Sequence, residues 1–382
     1  MSAAGSSSGP TLTHDEFLGL RRFGSLDGLR AIAITLVFTA HIGHQQLWPH
    51  LHGASGVTLF FVLSGFLITT LLLREEDRSG RVGFGSFYVR RAFRIYPMFL
   101  GVLALYCVLI LGLGLEADRR DLFVDAIPEI VLFFPEHMVF FHPDGQPYPP
   151  YDGAWSIGIE EKFYFVWAVL AFALLAGARA RLRLPVLVVL GGLSLAASFH
   201  DPLMYLAPYQ FLAYGAIVAV LLHHPAGFRV AAACGRPVVL LPVLVALLAL
   251  QVGSDQIDAY GDLYWLYGLL VAPLVAGLVV TRSRGVGWLS SRPMVHLAAV
   301  SYVFYLLHNF VLNGVESALP TGGGLPGSVL SSALAFALAV VGSTVVHRTF
   351  EEPLRRVGVR ISRRLERRAA DRTAQRLDPL AP

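Results

Sequence analysis

The chain is almost without lysine: of its 30 basic residues, only Lys162 is one. Cysteine is nearly absent as well. Cys107 lies in an apolar run and Cys234 beside a basic loop. Two cysteines so placed form neither a disulfide framework nor a zinc motif, so no metal site is expected. Charge is scarce. Asp, Glu, Lys and Arg make up 15% of 382 residues, against about a quarter in soluble domains. With 55% hydrophobic residues, that scarcity excludes an ordinary soluble domain. The few cations fall in loops beside apolar runs, which excludes a nucleic-acid-binding surface. No cleavable leader is evident, because the first apolar run is followed by more runs rather than by a small-residue cleavage site.

What is present is a series of apolar runs near the length that crosses a bilayer. They lie at about 28–47, 55–73, 95–115, 157–177, 184–200, 203–222, 237–253, 261–281, 294–315 and 328–349. The expectation is an all-α polytopic membrane protein with about ten transmembrane helices. Residues 1–20, Ser/Gly-rich at the start, read as a disordered tail. Residues 21–356 form the integral-membrane domain and 357–382 a basic tail, in which RRVGVRISRRLERR reads as an interfacial helix. No internal repeat is visible. The segment 122–141 holds Asp125, Pro128, Glu129, Pro135 and Glu136, too many polar and helix-breaking groups for a lipid-facing helix. It reads as an interfacial or re-entrant piece.

Loop charge sets the orientation. Arginines crowd 74–94, 179–183, 229–236, 282–292 and the C-terminal tail. The opposite loops, near 201, 254–260 and 316–327, carry no Lys or Arg. The positive-inside rule then puts both termini and the arginine-rich loops in the cytoplasm of a multi-pass cell-membrane protein.

Several ionisable groups fall within the apolar runs, where each is costly and therefore a functional hypothesis. Arg30 and His41 share the first run. Eleven residues separate them, so they share a helical face about 16 Å apart along the axis. On the expected topology His41, Glu160 and His308 reach similar depth in the outer half. His41 is the expected general base, with Glu160 its carboxylate partner. A histidine bonded into the bundle is the plainer alternative, and His308, flanked by aromatics, fits it as well as an acceptor-side role. Glu161, one position round the helix, is expected to face water or a head group. Near the cytoplasmic side, Arg91 and Arg94 are i, i+3 neighbours next to Arg90. With Arg30 they suit phosphates, or else anionic lipid head groups. Ser64, beside Gly65, is either a nucleophile or a small residue permitting close packing. The Pro/Tyr-rich loop FHPDGQPYPPYDGAW, ending at Trp155, reads as a lid, an acceptor-binding loop or a plain connector.

These residues resemble a known family. SLDGLRAIAITLVFTAH, GVTLFFVLSGFLIT, SFYVRRAFRIYP, AWSIGIEEKFYFVW, SYVFYLLHNFVL and FEEPLRR look, in this order, like the motifs of the acyltransferase-3 family of bacterial integral-membrane O-acyltransferases. Ile157 stands where that family has leucine. The resemblance covers about residues 25–356. It implies transfer of an acetyl or other short acyl group from acyl-CoA, a co-substrate rather than a bound cofactor. The acceptor it implies is a hydroxyl on a sugar, in a surface polysaccharide or a glycosylated metabolite. It implies that His41 and Glu160 are catalytic and that Arg30, Arg91 and Arg94 bind the donor. His308, Trp155, Ser64 and Glu351 would be acceptor-side or supporting. Some members carry a C-terminal esterase-like domain. Only a short basic tail follows residue 356, so a relay through a second domain is not expected.

Two other classes compete. A proton-coupled transporter or flippase of glycan-like substrates would also use buried His and Glu, but would not require the arginine set. An unrelated membrane-bound O-acyltransferase would centre on His308 and Asn309 and leave Arg30 dispensable.

Overall fold

The structure, a computed structural model, describes residues 9–42, 51–141, 147–253, 263–319 and 324–377. In lipid every backbone amide must be paired within its own segment, which leaves helices or closed barrels. The described residues take the helical solution, with one isolated bridge, Thr11 to Thr281, and no strand. In chain order the helices are α1 (His14–Gly19), α2 (Gly24–Ala40), α3 (Ser55–Ser79), α4 (Phe84–Tyr106), α5 (Arg120–Val131), α6 (His137–Phe140) and α7 (Trp155–Val169). There follow α8 (Arg183–Ala197), α9 (Tyr209–His223), α10 (Pro225–Ala231), α11 (Pro237–Gly253), α12 (Tyr264–Val280), α13 (Arg292–Ala318), α14 (Gly324–Val346) and α15 (Glu352–Leu377). Wider π turns extend α4 over Cys107–Gly112 and α7 over Leu170–Leu174, and join α14 to α15 over His347–Glu351.

Six of these helical stretches are long and apolar enough to cross a bilayer, and a seventh counts if α10 and α11, bent by 65°, form one span. The other three of the ten expected spans are helical too. α2 and α12 have 17 residues each, and α7 carries Glu160, Glu161 and Lys162. α2 and α7 are short or charged because they bear the polar residues of the site described below.

α3 packs along α9 at unusually close range. A Cβ on Gly65 would overlap the Leu212 carbonyl, and one on Gly215 the Val62 carbonyl. Small residues let membrane helices approach backbone to backbone where no hydrophobic force draws them together. Gly65 therefore serves packing, which leaves Ser64 on the other side of α3.

Two expectations change, and a third agrees with the structure. The first concerns the N-terminal tail. Residues 1–8 lie outside the described set, but from residue 9 the chain is folded. Leu12 N–H donates to the Val280 carbonyl and Arg282 N–H to that of Pro10. Thr13 and Glu16 form a capping box at α1, and Phe17 is fully buried. A Ser/Gly-rich start hid a short capped helix. Second, the basic tail is a helix that runs to Leu377 and docks on α4 with its first half: Gly358 sits under Phe93, and Arg90 reaches Ser362 and Glu366. The expectation that agrees is 122–141, read as interfacial or re-entrant, which does not cross as a helix. α5 has 12 residues, about 18 Å, against a hydrocarbon core of about 30 Å. It buries one stripe, Phe123, Ala126 and Ile130. The chain then turns at Phe133, whose φ is 61°.

Candidate functional site

Five helices converge on a cavity of about 320 Å³. α2 contributes Arg30, α3 Ser64 and Arg74, α4 Arg91 and Arg94, and α7 Ser156, Glu160, Glu161 and Tyr164. Tyr302 and Tyr305 close it from α13, and Arg21, Arg22 and Asp27 line the mouth. Six arginines thus face three carboxylates. Arg22 pairs with Asp27 at 2.8 Å. Arg74 lies over the rings of Phe17 and Phe23, and donates to the Phe17 carbonyl. The folded N-terminal segment therefore holds one wall.

Arg30, Arg91 and Arg94, which the sequence grouped from two distant segments, do meet here. Among the described residues none of the three forms a hydrogen bond or ion pair with the protein. Arg91 lies over the Tyr164 ring, 5.0 Å from its centre. A guanidinium so placed keeps its N–H edge for a ligand.

Glu160 belongs to this arginine cavity and not to His41. Its two oxygens accept from Ser64 Oγ at 2.9 Å and from the Tyr164 hydroxyl at 2.6 Å. The expected carboxylate–histidine pair is therefore not formed. Glu160 and Tyr164 are i, i+4 on one helix and meet by periodicity, whereas His41 lies at the end of another helix. Ser64 spends its proton on Glu160 and is a support, not a free nucleophile. Glu161, expected to face water, lines the same cavity.

His41 is not deep within a helix. α2 begins at Gly24, four residues earlier than expected, and ends at Ala40, with exposed His41 as its C-cap. His41 Nδ1 lies 2.8 Å from the Val37 carbonyl, so it carries the proton and Nε2 is left as an acceptor. Its ring stands edge-on to His308, with centroids 4.7 Å apart and planes at 80°. His308 is built the same way. Its Nδ1 contacts the Tyr305 and Phe304 carbonyls at 2.7 and 3.2 Å, while its buried Nε2 has no partner among the described residues. Two of the three groups expected at one level therefore do meet.

Tyr305 separates the two regions. Its hydroxyl donates to the Gly153 carbonyl and accepts from Ser156 Oγ, both at 2.8 Å. Its carbonyl holds His308. The arginine cavity ends on one side of this tyrosine, and the histidines lie on the other. Asp152 sits beside Gly153, in the turn Asp152–Ala154 outside the spanning helices. Burial raises its carboxyl above the usual aspartate range, against the opposing pull of His41, the Gly153 N–H and Arg119. Sequence reading did not single out Asp152, Tyr164 or Tyr305. Only Tyr164 left a signal, its i, i+4 spacing from Glu160.

The remaining expectations divide. Trp155, first residue of α7, packs edge-on against Phe61 and Phe140 and does not line the cavity. Glu351 lies buried in the π turn before α15, where its carboxylate meets His347 Nδ1 at 2.5 Å. Part of the Pro/Tyr-rich loop, residues 142–146, lies outside the described residues. Among the described residues no group of His, Cys, Asp and Glu is arranged to hold a metal.

Comparisons with known proteins identify the family. A family model described as an acyltransferase domain matches residues 23–348. A protein of Staphylococcus aureus strain COL, provisionally named an O-acetyltransferase, is 26% identical over 367 residues, covering 89% of this chain and 58% of its own length. The peptidoglycan O-acetyltransferase OatA of Listeria monocytogenes is 33% identical over 175 residues, 44% of this chain and 28% of its own. A Bacillus subtilis protein, YrhL, provisionally named a peptidoglycan O-acetyltransferase, is 32% identical over 174 residues, 44% of this chain and 27% of its own. The chain thus spans under two thirds of the length of these relatives. No solved structure matches it. With the match running over 23–348 of 382 residues, the chain belongs to the acyltransferase-3 family of multi-pass membrane proteins.

Proposed function

We propose that the protein is a membrane O-acyltransferase. It takes an acetyl or other short acyl group from acyl-CoA at the arginine end and passes it to a sugar hydroxyl at the histidine end. One observation carries the reading: three guanidiniums, Arg30, Arg91 and Arg94, line one cavity with no hydrogen bond or ion pair to the protein among the described residues. Uncompensated cations at membrane depth are costly, and a phosphorylated donor supplies the missing charge. The names of the relatives support acetyl transfer, and two of them support a glycan acceptor.

The chemistry is direct transfer. His41 Nε2 removes the acceptor hydroxyl's proton as the oxygen attacks the thioester carbonyl carbon. The C–S bond breaks, the thiolate leaves, and it takes the proton from His41, giving an ester and free CoA. The Val37 carbonyl fixes the His41 tautomer that leaves Nε2 as the base. Glu160 orients Ser64 and Tyr164 and keeps the cavity from being wholly cationic. Arg30 and His41 are about 16 Å apart along α2, a distance the donor's flexible arm bridges past Tyr305.

The test is transfer of labelled acetyl from acetyl-CoA by the purified protein in lipid nanodiscs. With one base removed, His41→Ala should lose about 10²-fold or more of the rate. Arg91→Gln with Arg94→Gln should raise the KM for the donor about tenfold or more. Intact transfer by His41→Ala removes the base role. Proton-linked solute uptake by the wild type without acyl transfer removes the enzyme reading in favour of a carrier.

A further inference from the structure

The arginine cavity does not end at Arg91 and Arg94. These two residues, with Leu71, also line a second and larger hollow of about 920 Å³. Its walls are the end of α3, the α3–α4 turn, the start of α4 and one side of α15. Six arginines and two acids line it. Both acids are already engaged. Arg90 holds Glu75 at 2.9 Å and Glu366 at 2.7 Å, clasping α3 and α15 across α4. Arg355 pairs with Glu352 on its own helix. Arg78, Arg81, Arg91 and Arg94 remain without a carboxylate among the described residues.

The surrounding backbone is fixed. Gly80, at φ 70°, ends α3 with its N–H on the Glu76 carbonyl at 2.7 Å. Gly83 N–H donates to Glu75 Oε1 at 2.9 Å. Arg78 is anchored through Nε to the Arg74 carbonyl, which leaves its terminal N–H groups free. The rest of the wall includes Phe84, Phe87, Val359 and Leu365. Four unpaired guanidiniums beside an apolar wall suit a ligand with several phosphates and one flat, poorly hydrated part. The link through Arg91 and Arg94 requires that this ligand continue as a chain into the smaller cavity.

We propose that this groove binds the phosphorylated nucleotide end of the thioester donor. Arg78 and Arg81, from the α3–α4 turn, hold the phosphate on its ribose, and Arg91 and Arg94 hold the diphosphate from which the arm runs into the smaller cavity. This inference rests on the donor reading above and adds residues and an element, α15, to it. Anionic lipid head groups share the same chemistry and are the rival source.

The test uses the full chain in nanodiscs of neutral lipid, and again with added phosphatidylglycerol. Binding of CoA and of dephospho-CoA is measured by calorimetry, and transfer is followed from acetyl-CoA and from acetyl-pantetheine. Arg78→Gln with Arg81→Gln should weaken CoA binding about tenfold or more. The same variant should narrow the preference for acetyl-CoA over acetyl-pantetheine by a similar factor. Arg78→Lys with Arg81→Lys should recover part of the loss, since charge remains. Unchanged CoA affinity in the Gln variant overturns the proposal. So does a loss confined to binding of phosphatidylglycerol, which assigns the groove to lipid. Wild-type protein that binds no CoA in either membrane overturns the donor reading itself, a result distinct from both.

Discussion

Asp152 lies close enough to His41 to feel its charge. The imidazole is bound to its own helix through Nδ1. The carboxyl lies buried in the turn that Tyr305 holds through Gly153. Burial holds the Asp152 proton to higher pH than in an exposed aspartate, so its carboxylate forms only as pH rises through that raised value. Asp152→Asn removes this ionisation and keeps the shape of the side chain. If the carboxylate takes part, a step that the wild-type pH–rate profile shows above the usual aspartate range should vanish in the variant. Profiles of the same shape in wild type and variant uncouple Asp152 from the reaction. Much of the site at this scale was legible beforehand. Arg30, Arg91 and Arg94 could be grouped because helical spacing and loop charge assign each to one membrane face. The Glu160 partnership was not legible. Its carboxylate had to choose between His41 and Ser64, and that choice depends on how α2, α3 and α7 pack.

Between α5 and α7 the chain uses its only lysine. Lys162 Nζ sits 2.8 Å from Glu136 Oε1, donates to the Phe133 carbonyl at 2.5 Å and lies over the Phe134 ring. Glu136 is almost wholly buried. The pair ties the bend at Phe133–Glu136 to the helix that carries Glu160 and Glu161. Lys162→Met leaves Glu136 buried without its cation, which should destabilise the protein by about 3 kcal/mol, the low end for a broken buried pair because the lysine is partly exposed. Thermal melting in detergent should show it. Lys162→Met combined with Glu136→Leu should recover most of the loss, since removing both charges is close to neutral. A single variant that melts like the wild type removes the clasp from the account. The acids and prolines of 122–141 did announce that no ordinary span lies there. Which acid was buried could not be read, because Lys162 is 26 residues away and meets Glu136 only in the folded chain.

Across the described residues, the arginine-bearing turns gather on one side with α1 and α15, the first and last helices. Arg282 binds Glu16, Arg183 binds Glu76, and Arg90 binds Glu366. The opposite side carries the histidine pair and the Asp152 turn. This polarity was legible from loop charge alone, because the positive-inside rule needs only the order of spans. The number of full-length spans was not, since α2 and α12 stop at 17 residues each and α7 carries three charged residues. The polarity makes a sharp prediction about orientation. With Cys107 and Cys234 replaced by Ser, single cysteines can be placed on the two sides. Ala117, exposed in the turn before α5, belongs to the histidine side, and Ala178, exposed in the turn before α8, to the arginine side. A membrane-impermeant maleimide added to intact cells should label Ala117→Cys and leave Ala178→Cys untouched until the membrane is opened. The reverse pattern would put the arginine cavity outside, where no acyl-CoA is available, and would end the proposal that the donor enters there. Equal labelling at both positions in intact cells would break the separation of donor and acceptor sides on which direct transfer through Tyr305 depends.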